Sequence, residues 1–300
     1  MQEEIASRSG ASAPMQIGVT LAFSQHTTPE EIGDLASAAE ERGFHSLWVP
    51  EHVVFFADYA SSYPYSEDGR IPGEPDGVLD PFSALTFVAA RTSRIRLGTG
   101  ICIVPQRNPV YTARQVADLD YLSGGRFEFG IGVGWLAEEF AALGIPFDDR
   151  GPRTDECLAV MQALWAEGPA AHDGERFAFS GALLNPKPVQ RPHPPIVVGG
   201  ESAPAYRRAA RIGQGWYGFN LDAQRLAGCL QRIDAALEAE GRSRESLRIY
   251  ASPGRGHDVA TLAAFREAGV QEAIVTTMGR DRDATIRRMD RLVEQVRELG

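Results

Sequence analysis

The chain has 300 residues, 43% of them hydrophobic, with a formal net charge of -10, a size and composition that suit one barrel or two smaller domains and exclude disorder of the whole chain. The acidic balance gives no basic surface for a phosphate backbone, no apolar run approaches the roughly 18 residues of a membrane span, and the N-terminus has no apolar signal-peptide core. Nucleic acid and membrane are therefore set aside as partners, and a small organic substrate met in the cytoplasm is expected.

Three cysteines, Cys102, Cys157 and Cys229, have no CxxC spacing, which argues against a disulfide framework or a zinc site and fits a reducing compartment. No metal ligands are expected. The single lysine, Lys187, sits between Pro186 and Pro188. A Walker A loop and a pyridoxal Schiff base each need a better-placed lysine, so both chemistries are set aside.

Residues 1–14 are small and polar and read as a disordered leader, with 15–300 as one domain. From Met15 onward, short apolar runs alternate with amphipathic stretches, the pattern of repeated βα units around a parallel sheet. Strands are predicted at 16–21, 46–49, 96–101, 126–131, 196–199, 215–217, 248–251 and 272–276. Helices follow at 29–42, 81–92, 109–122, 136–143 continuing into 154–166, 204–212, 222–240, 261–268 and 283–299. Several begin with proline, whose missing N–H costs nothing in the first turn. Eight parallel units close most simply into a (β/α)8 TIM barrel, with a doubly wound open sheet as the alternative. Two long irregular insertions interrupt the pattern, at about 53–80 and 168–195. Loops of this length serve as lids or mobile segments; the first leaves a strand at its C-terminal end, on the catalytic face, and the second is expected to cross from the bottom of the barrel to cover the top.

The segment LSGGRFEFGIGVGW, Leu122 to Trp135, carries Gly130, Gly132 and Gly134 at a strand end almost free of side chains, where backbone can approach a flat ligand closely. A dinucleotide fingerprint would need glycine at position 135, where Trp135 sits. Together with RIRLGTGICIVPQRNP (Arg94 to Pro109), GIPFDDRGPRTDE (Gly144 to Glu156) and PPIVVGGESAPAYRRAARIGQGW (Pro194 to Trp216), the segment resembles the luciferase-like monooxygenase superfamily, in particular its branch that uses the deazaflavin coenzyme F420.

The resemblance implies an oxidoreductase that transfers a hydride between C5 of F420 and a small organic substrate, acting as a homodimer. FMN is the alternative cofactor, in a monooxygenase that would need a flavin reductase as partner; a non-enzymatic flavin-binding protein is the third reading. It places His52 and Glu51 beside the reactive ring as catalytic residues, although Glu51 stands where deazaflavin members more often carry aspartate. An imidazole of near-neutral pKa suits the proton transfer that accompanies hydride movement. A non-prolyl cis peptide is implied at Gly100-Ile101, as a bulge behind the ring. Gly132, Val133, Gly134 and Glu138 are implied in cofactor binding, and Gly199, Gly200, Glu201 and Ser202 lead into a helix whose N-terminus suits phosphate. Ser202 capping that helix is an equally good reading of the same residues. Arg107 is read as assisting the phosphate or tail, or as a solvated side chain, and Cys102 as an apolar filler. Trp135 occupies the position where a sugar-phosphate dehydrogenase of the superfamily carries its catalytic glutamate, which argues against that reaction. Glu139 is expected to support Arg150 or Arg153. The aromatic residues of the first insertion, Phe55, Phe56, Tyr59, Tyr63 and Tyr65, either line an apolar pocket or pack the insertion onto the barrel.

Overall fold

The computed structural model describes residues 14–72 and 77–299. All of the expected leader but Pro14 lies outside that range, as do residues 73–76 of the first insertion.

In chain order the strands are β1 (Gln16–Thr20), β2 (Ser46–Val49), β3 (Arg96–Thr99) with its short continuation β4 (Cys102–Ile103), and β5 (Phe127–Gly132). A hairpin outside the barrel, β6 (Ala170–Asp173) and β7 (Ala178–Ala182), precedes β8 (Ile196–Gly199), β9 (Gly215–Leu221), β10 (Arg248–Pro253) and β11 (Glu272–Thr276). Each barrel strand runs parallel to its neighbours. β1 pairs with both β2 and β11, and β3 pairs with β5, so the sheet closes on itself as a (β/α)8 barrel and the open-sheet alternative is excluded.

The helices α1 (Pro29–Glu41), α2 (Pro81–Arg91), α3 (Pro109–Leu122), α4 (Ala137–Ala142), α5 (Arg150–Trp165), α6 (Ala203–Ile212), α7 (Ala223–Ala239), α8 (Val259–Glu267) and α9 (Arg282–Glu298) surround it. Local sequence fixes where most of them start. Thr28 and Glu31 form a capping box on α1, and Asp80, Asn108, Ser202, Asp222, Asp258 and Asp281 each accept a first-turn N–H at their own helix. Their apolar faces and the outward faces of the strands make the main core.

Side chains that alternate inward fill the barrel in layers. At the bottom, Ser46 and Arg248 bond Glu272, Arg248 also reaches Gln16, and Arg96 bonds Glu128. Above them Trp48, Val197, Tyr250 and Ile274 form an apolar layer. The Trp48 indole anchors its Nε1 on Ser46 Oγ at 2.6 Å and lies against Gly98 and Gly130, where any added Cβ would overlap the indole or the Thr99 carbonyl. The top layer, at the strand C-termini, holds Thr20, Ile101, Gly132, Gly199, Tyr217 and Ser252.

Two expectations are corrected. Strand three does not run unbroken from 96 to 101: it stops at Thr99, passes through a cis peptide at Gly100-Ile101 and resumes as β4, paired with β5. The insertion at 168–195 does not cover the mouth. Its hairpin lies on the outside of α5, where Arg176 is held by Asp149 and Glu156, and the chain then follows α3 downward through Arg114 on the Asn185 carbonyl and Gln190 on Asp120. The hairpin tip thus meets the top rim only beside the start of α5, on its outer side, and the rest of the segment descends along α3.

Candidate active site

Beyond Val49 the residues Glu51 and His52 leave β2 in different directions. The Glu51 carboxylate, 4% exposed, accepts the Ile103 N–H and pairs with Arg107, which also reaches Asp80 Oδ2. Glu51 therefore fastens the resumption of β4 to the end of β2. Arg107 is neither solvated nor free for a phosphate. Burial disfavours its charge, and the carboxylates of Glu51 and Asp80 outweigh that, so it stays fully protonated. Cys102 is buried among these groups, and burial pushes its thiol well up, leaving it an inert filler.

His52 takes the other direction. Its Nδ1 lies 3.2 Å from Glu139 Oε2, its ring centroid 4.5 Å from that of Phe55 and 5.8 Å from that of Trp135. A carboxylate can only accept, so Nδ1 carries the proton and Nε2 is left to exchange one. Glu139 is 0% exposed and also accepts the Val53 N–H at 2.5 Å, the Val54 N–H at 3.2 Å and the Gln106 amide at 2.8 Å. Burial pushes this carboxyl up, yet the bonds from His52, Gln106 and the Val54 N–H together bring it below the usual range. The expected support of Arg150 or Arg153 by Glu139 is not found: Arg150 bonds the Phe147 carbonyl and Arg153 the Pro105 carbonyl.

Glu138, the preceding residue on α4, points elsewhere because successive helical residues diverge by about 100°. It accepts the Ala60 and Ser61 N–H groups and the Ser61 hydroxyl, a set led by the Ser61 hydroxyl that lowers its carboxyl to about 2. Two adjacent carboxylates of one short helix thus clamp the first insertion at residues 52–54 and 60–61. Between the clamps and just beyond the second, the aromatic residues of the insertion form a wall at the mouth. Trp135 meets Tyr59 and Tyr63 edge-on with centroids 5.7 and 5.2 Å apart, Tyr63 meets Tyr65 at 5.5 Å, and Tyr65 meets Phe219 at 5.0 Å. The wall so formed runs from His52 across to β9.

The floor below that wall is flat on one side. A Cβ on Gly132 would overlap Ile101 Cδ1, and one on Gly199 would come 3.1 Å from the same side chain. The Ile101 side chain therefore lies across both strand ends, with Gly100 next to the Trp48 side chain beneath it. Gly132, Val133 and Gly134 carry this surface out to α4. On the far side Gly200 adopts φ +110° and accepts the Trp216 indole N–H at 2.8 Å, while Ser202 Oγ caps Ala205 at the start of α6. Glu201 accepts the Phe219 N–H at 2.8 Å, and burial holds its carboxyl above the usual range. The structure brings His52, Gly100, Ile101, Gly132 and Gly199 around one mouth and directs Glu51, Arg107 and Glu138 into the protein that supports it.

A family model described as luciferase-like monooxygenase matches residues 8–254. The chain belongs to the luciferase-like monooxygenase family. Within that family it is 32% identical over 266 residues to an uncharacterized protein of Mycobacterium tuberculosis, a match covering 87% of this chain and 92% of the relative. It is 30% identical over 240 residues to an F420-dependent glucose-6-phosphate dehydrogenase of Kineococcus radiotolerans, covering 77% and 64% of the two chains. An FMNH(2)-dependent dimethylsulfone monooxygenase of Pseudomonas putida is 34% identical over 189 residues, covering 62% and 47%. Among solved structures, monooxygenase RslO1 of Streptomyces bottropensis superposes with a TM-score of 0.77 at 23% identity, covering 94% and 98%. An F420-dependent secondary alcohol dehydrogenase bound to an F420-acetone adduct gives 0.76 at 17%, covering 95% and 99%. Luciferase-like proteins similar to this chain thus include both deazaflavin and flavin enzymes.

Glu139, Gln106 and Asp80 carry the site's architecture and were not legible as such. Gln106 lies inside the VPQRNP stretch already singled out, and that stretch was the only available signal for it.

Proposed function

We propose that this luciferase-like protein is an F420-dependent oxidoreductase that moves a hydride between the deazaflavin and a small organic substrate. The observation that carries the reading is the asymmetric mouth: a side-chain-poor floor of Ile101, Gly132 and Gly199 on one side and His52, aligned by a buried carboxylate, one strand away. A flat tricyclic ring fits that floor, since Gly132 and Gly199 leave only backbone there and Ile101 offers an apolar surface. The glycine turn at Gly199 and Gly200, with the N-terminus of α6 behind it, supports a phosphate of the cofactor. Bound there, the deazaflavin supplies hydride transfer.

The protein's own residues do the remainder. Ile101, Gly132 and Gly199 receive the ring, and the aromatic wall of Trp135, Tyr59, Tyr63 and Tyr65 excludes water from it. His52 exchanges a proton with the substrate at Nε2, and Glu139 holds the imidazole for that step. Glu51, Arg107 and Glu138 act by holding the segments that carry these groups. Trp135, in the sugar-phosphate dehydrogenases' glutamate position, points to a different substrate from that of the Kineococcus relative.

The Pseudomonas putida relative supports a second reading, an FMN-dependent monooxygenase on the same mouth, with a flavin reductase as partner. In either case we read the protein as cytoplasmic and homodimeric. Three buried free cysteines support the reducing compartment, and the exposed Tyr111, Tyr121 and Leu122 of α3 support a second copy. No helix among the described residues is long and apolar enough to cross a membrane.

Titration with F420, FMN and FAD, followed by melting temperature, tests the reading, because a ligand that binds only the folded state raises apparent stability. F420 should raise it by several degrees. A response to FMN with none to F420 would overturn the deazaflavin assignment.

A further inference from the structure

Glu139 divides its two oxygens between different parts of the protein. Oε1 accepts the Val53 and Val54 N–H groups, which follow directly on His52 in the chain, while Oε2 receives both the His52 imidazole and the Gln106 amide. Held by Val53 and Val54 alone, the carboxylate would be fixed only to the segment that carries His52 itself. Gln106 comes from elsewhere. It closes a 3-10 turn, Val104–Gln106, directly after β4, the short strand that follows the Gly100-Ile101 cis peptide and pairs Ile103 with Gly132. Arg153 holds that turn through the Pro105 carbonyl at 2.7 Å, and Arg107 holds its end between Glu51 and Asp80. One braced connection thus carries the floor residue Ile101 at its start and the amide at its end.

Two details show that the amide is placed for Glu139. Gln106 is 6% exposed, and a carboxylate only accepts, so Nε2 faces Glu139 and Oε1 turns away. There Oε1 meets no donor among the described residues, and a buried acceptor without a partner is unfavourable. An apolar side chain of the same length would pack without that loss. The amide is also neutral. An arginine or lysine at this position would cancel the negative charge that a protonated His52 needs beside it, whereas an amide fixes the carboxylate and leaves its charge in place. The other charges nearby are engaged elsewhere, Glu51 with Arg107 and Glu138 with Ser61.

We infer that Gln106 is a positioning residue of this site: acting through Glu139, it fixes the Nδ1–H tautomer of His52 and the placement of the imidazole relative to the floor at Ile101. The inference rests on the reading of His52 as the proton-exchanging group. Such a group works when the residues that orient it are themselves locked, and a misplacement of about 1 Å costs up to about 10²-fold in rate. Gln106 supplies that lock from the side of the barrel that carries the floor, so the imidazole keeps its station when the insertion moves.

The test uses the full chain labelled with ¹⁵N at histidine, with the ring nitrogens read by NMR at a pH where the imidazole is neutral and His52 assigned by its absence from His52→Ala. In wild type the two nitrogens should lie far apart, Nδ1 protonated and Nε2 not. Gln106→Met keeps the length of the side chain and removes the donor. Its His52 signals should move toward each other as the tautomers mix, with the melting temperature nearly unchanged. A purely structural Gln106 would give the reverse, a lower melting temperature with the tautomer intact, and that result overturns the inference. So does a wild-type ring protonated at Nε2. If Gln106→Met does not fold, wild type alone decides: the Gln106 side-chain amide, bonded to a buried carboxylate, should exchange slowly with solvent, and exchange as fast as that of an exposed glutamine overturns the inference. Normal turnover by His52→Ala would remove the functional reading above, while the tautomer result would still hold or fail on its own.

Discussion

Two carboxylates inside this barrel, Glu139 near the mouth and Glu272 at the bottom, are both 0% exposed and are shifted in opposite directions. Glu272 meets the Ser46 hydroxyl and Arg248, but it also meets the charge of Glu128, so burial and repulsion win and its carboxyl rises. Glu139 meets four donors, His52, Gln106 and two backbone N–H groups, and no like charge is among its main influences. Burial alone does not decide the state of a carboxyl; the number of donors aimed at it does. The bottom group closes the barrel on itself. The upper one holds an imidazole and the start of an insertion.

The largest effect that separates the two ends should come from His52. Replacement by alanine is expected to lower turnover by about 10² to 10⁴-fold, the range of general acid-base catalysis, with cofactor affinity and melting temperature nearly unchanged. Normal turnover would remove His52 from the chemistry. Next, Glu139→Ala leaves the Val53 and Val54 N–H groups and the Gln106 amide without an acceptor. A loss of about 3 kcal/mol in urea unfolding is expected, with faster proteolysis between residues 53 and 72. Unchanged stability and cleavage would show that the clamp does not hold the insertion.

Glu272 should give a change of opposite sign, confined to a pH window. A carboxyl raised in the folded state keeps its proton where the unfolded chain has lost it, so this group's contribution falls as pH rises from about 4.5 to about 7. Glu272→Gln should remove that slope, a difference of about 3 kcal/mol across the window. The depressed Glu139 works the other way: its contribution is present above the ordinary carboxyl range and is lost as pH falls through its folded value. A Glu272→Gln protein whose urea midpoint still falls between those pH values would contradict the assignment.

The barrel was legible because strand and helix periods repeat with caps and prolines at the right places, and the Gly100-Ile101 cis peptide was legible from the resemblance carried by the GTGICIVPQRNP stretch. The partners of Glu139 were not, because His52, Gln106 and Glu139 lie on three separate segments that only the closed barrel brings together. The path of 168–195 was missed for a related reason: its prolines announce an irregular segment, while its course depends on Asp120, Asp149 and Glu156 on helices far away in sequence. Thr20 and Ser252 look ordinary in the sequence, and that the Tyr217 hydroxyl sits against both emerges only once the closed barrel gathers the ends of β1, β9 and β10.

The central claim, that a deazaflavin ring rests on the floor beside His52, is tested most directly by a crystal structure of the chain with F420. The account predicts the ring against Ile101, over Gly132 and Gly199, with His52 at its edge and the phosphate near the start of α6. A ring placed away from that floor, or a phosphate bound at the surface arginines Arg280, Arg282 and Arg287 at the start of α9, would contradict it.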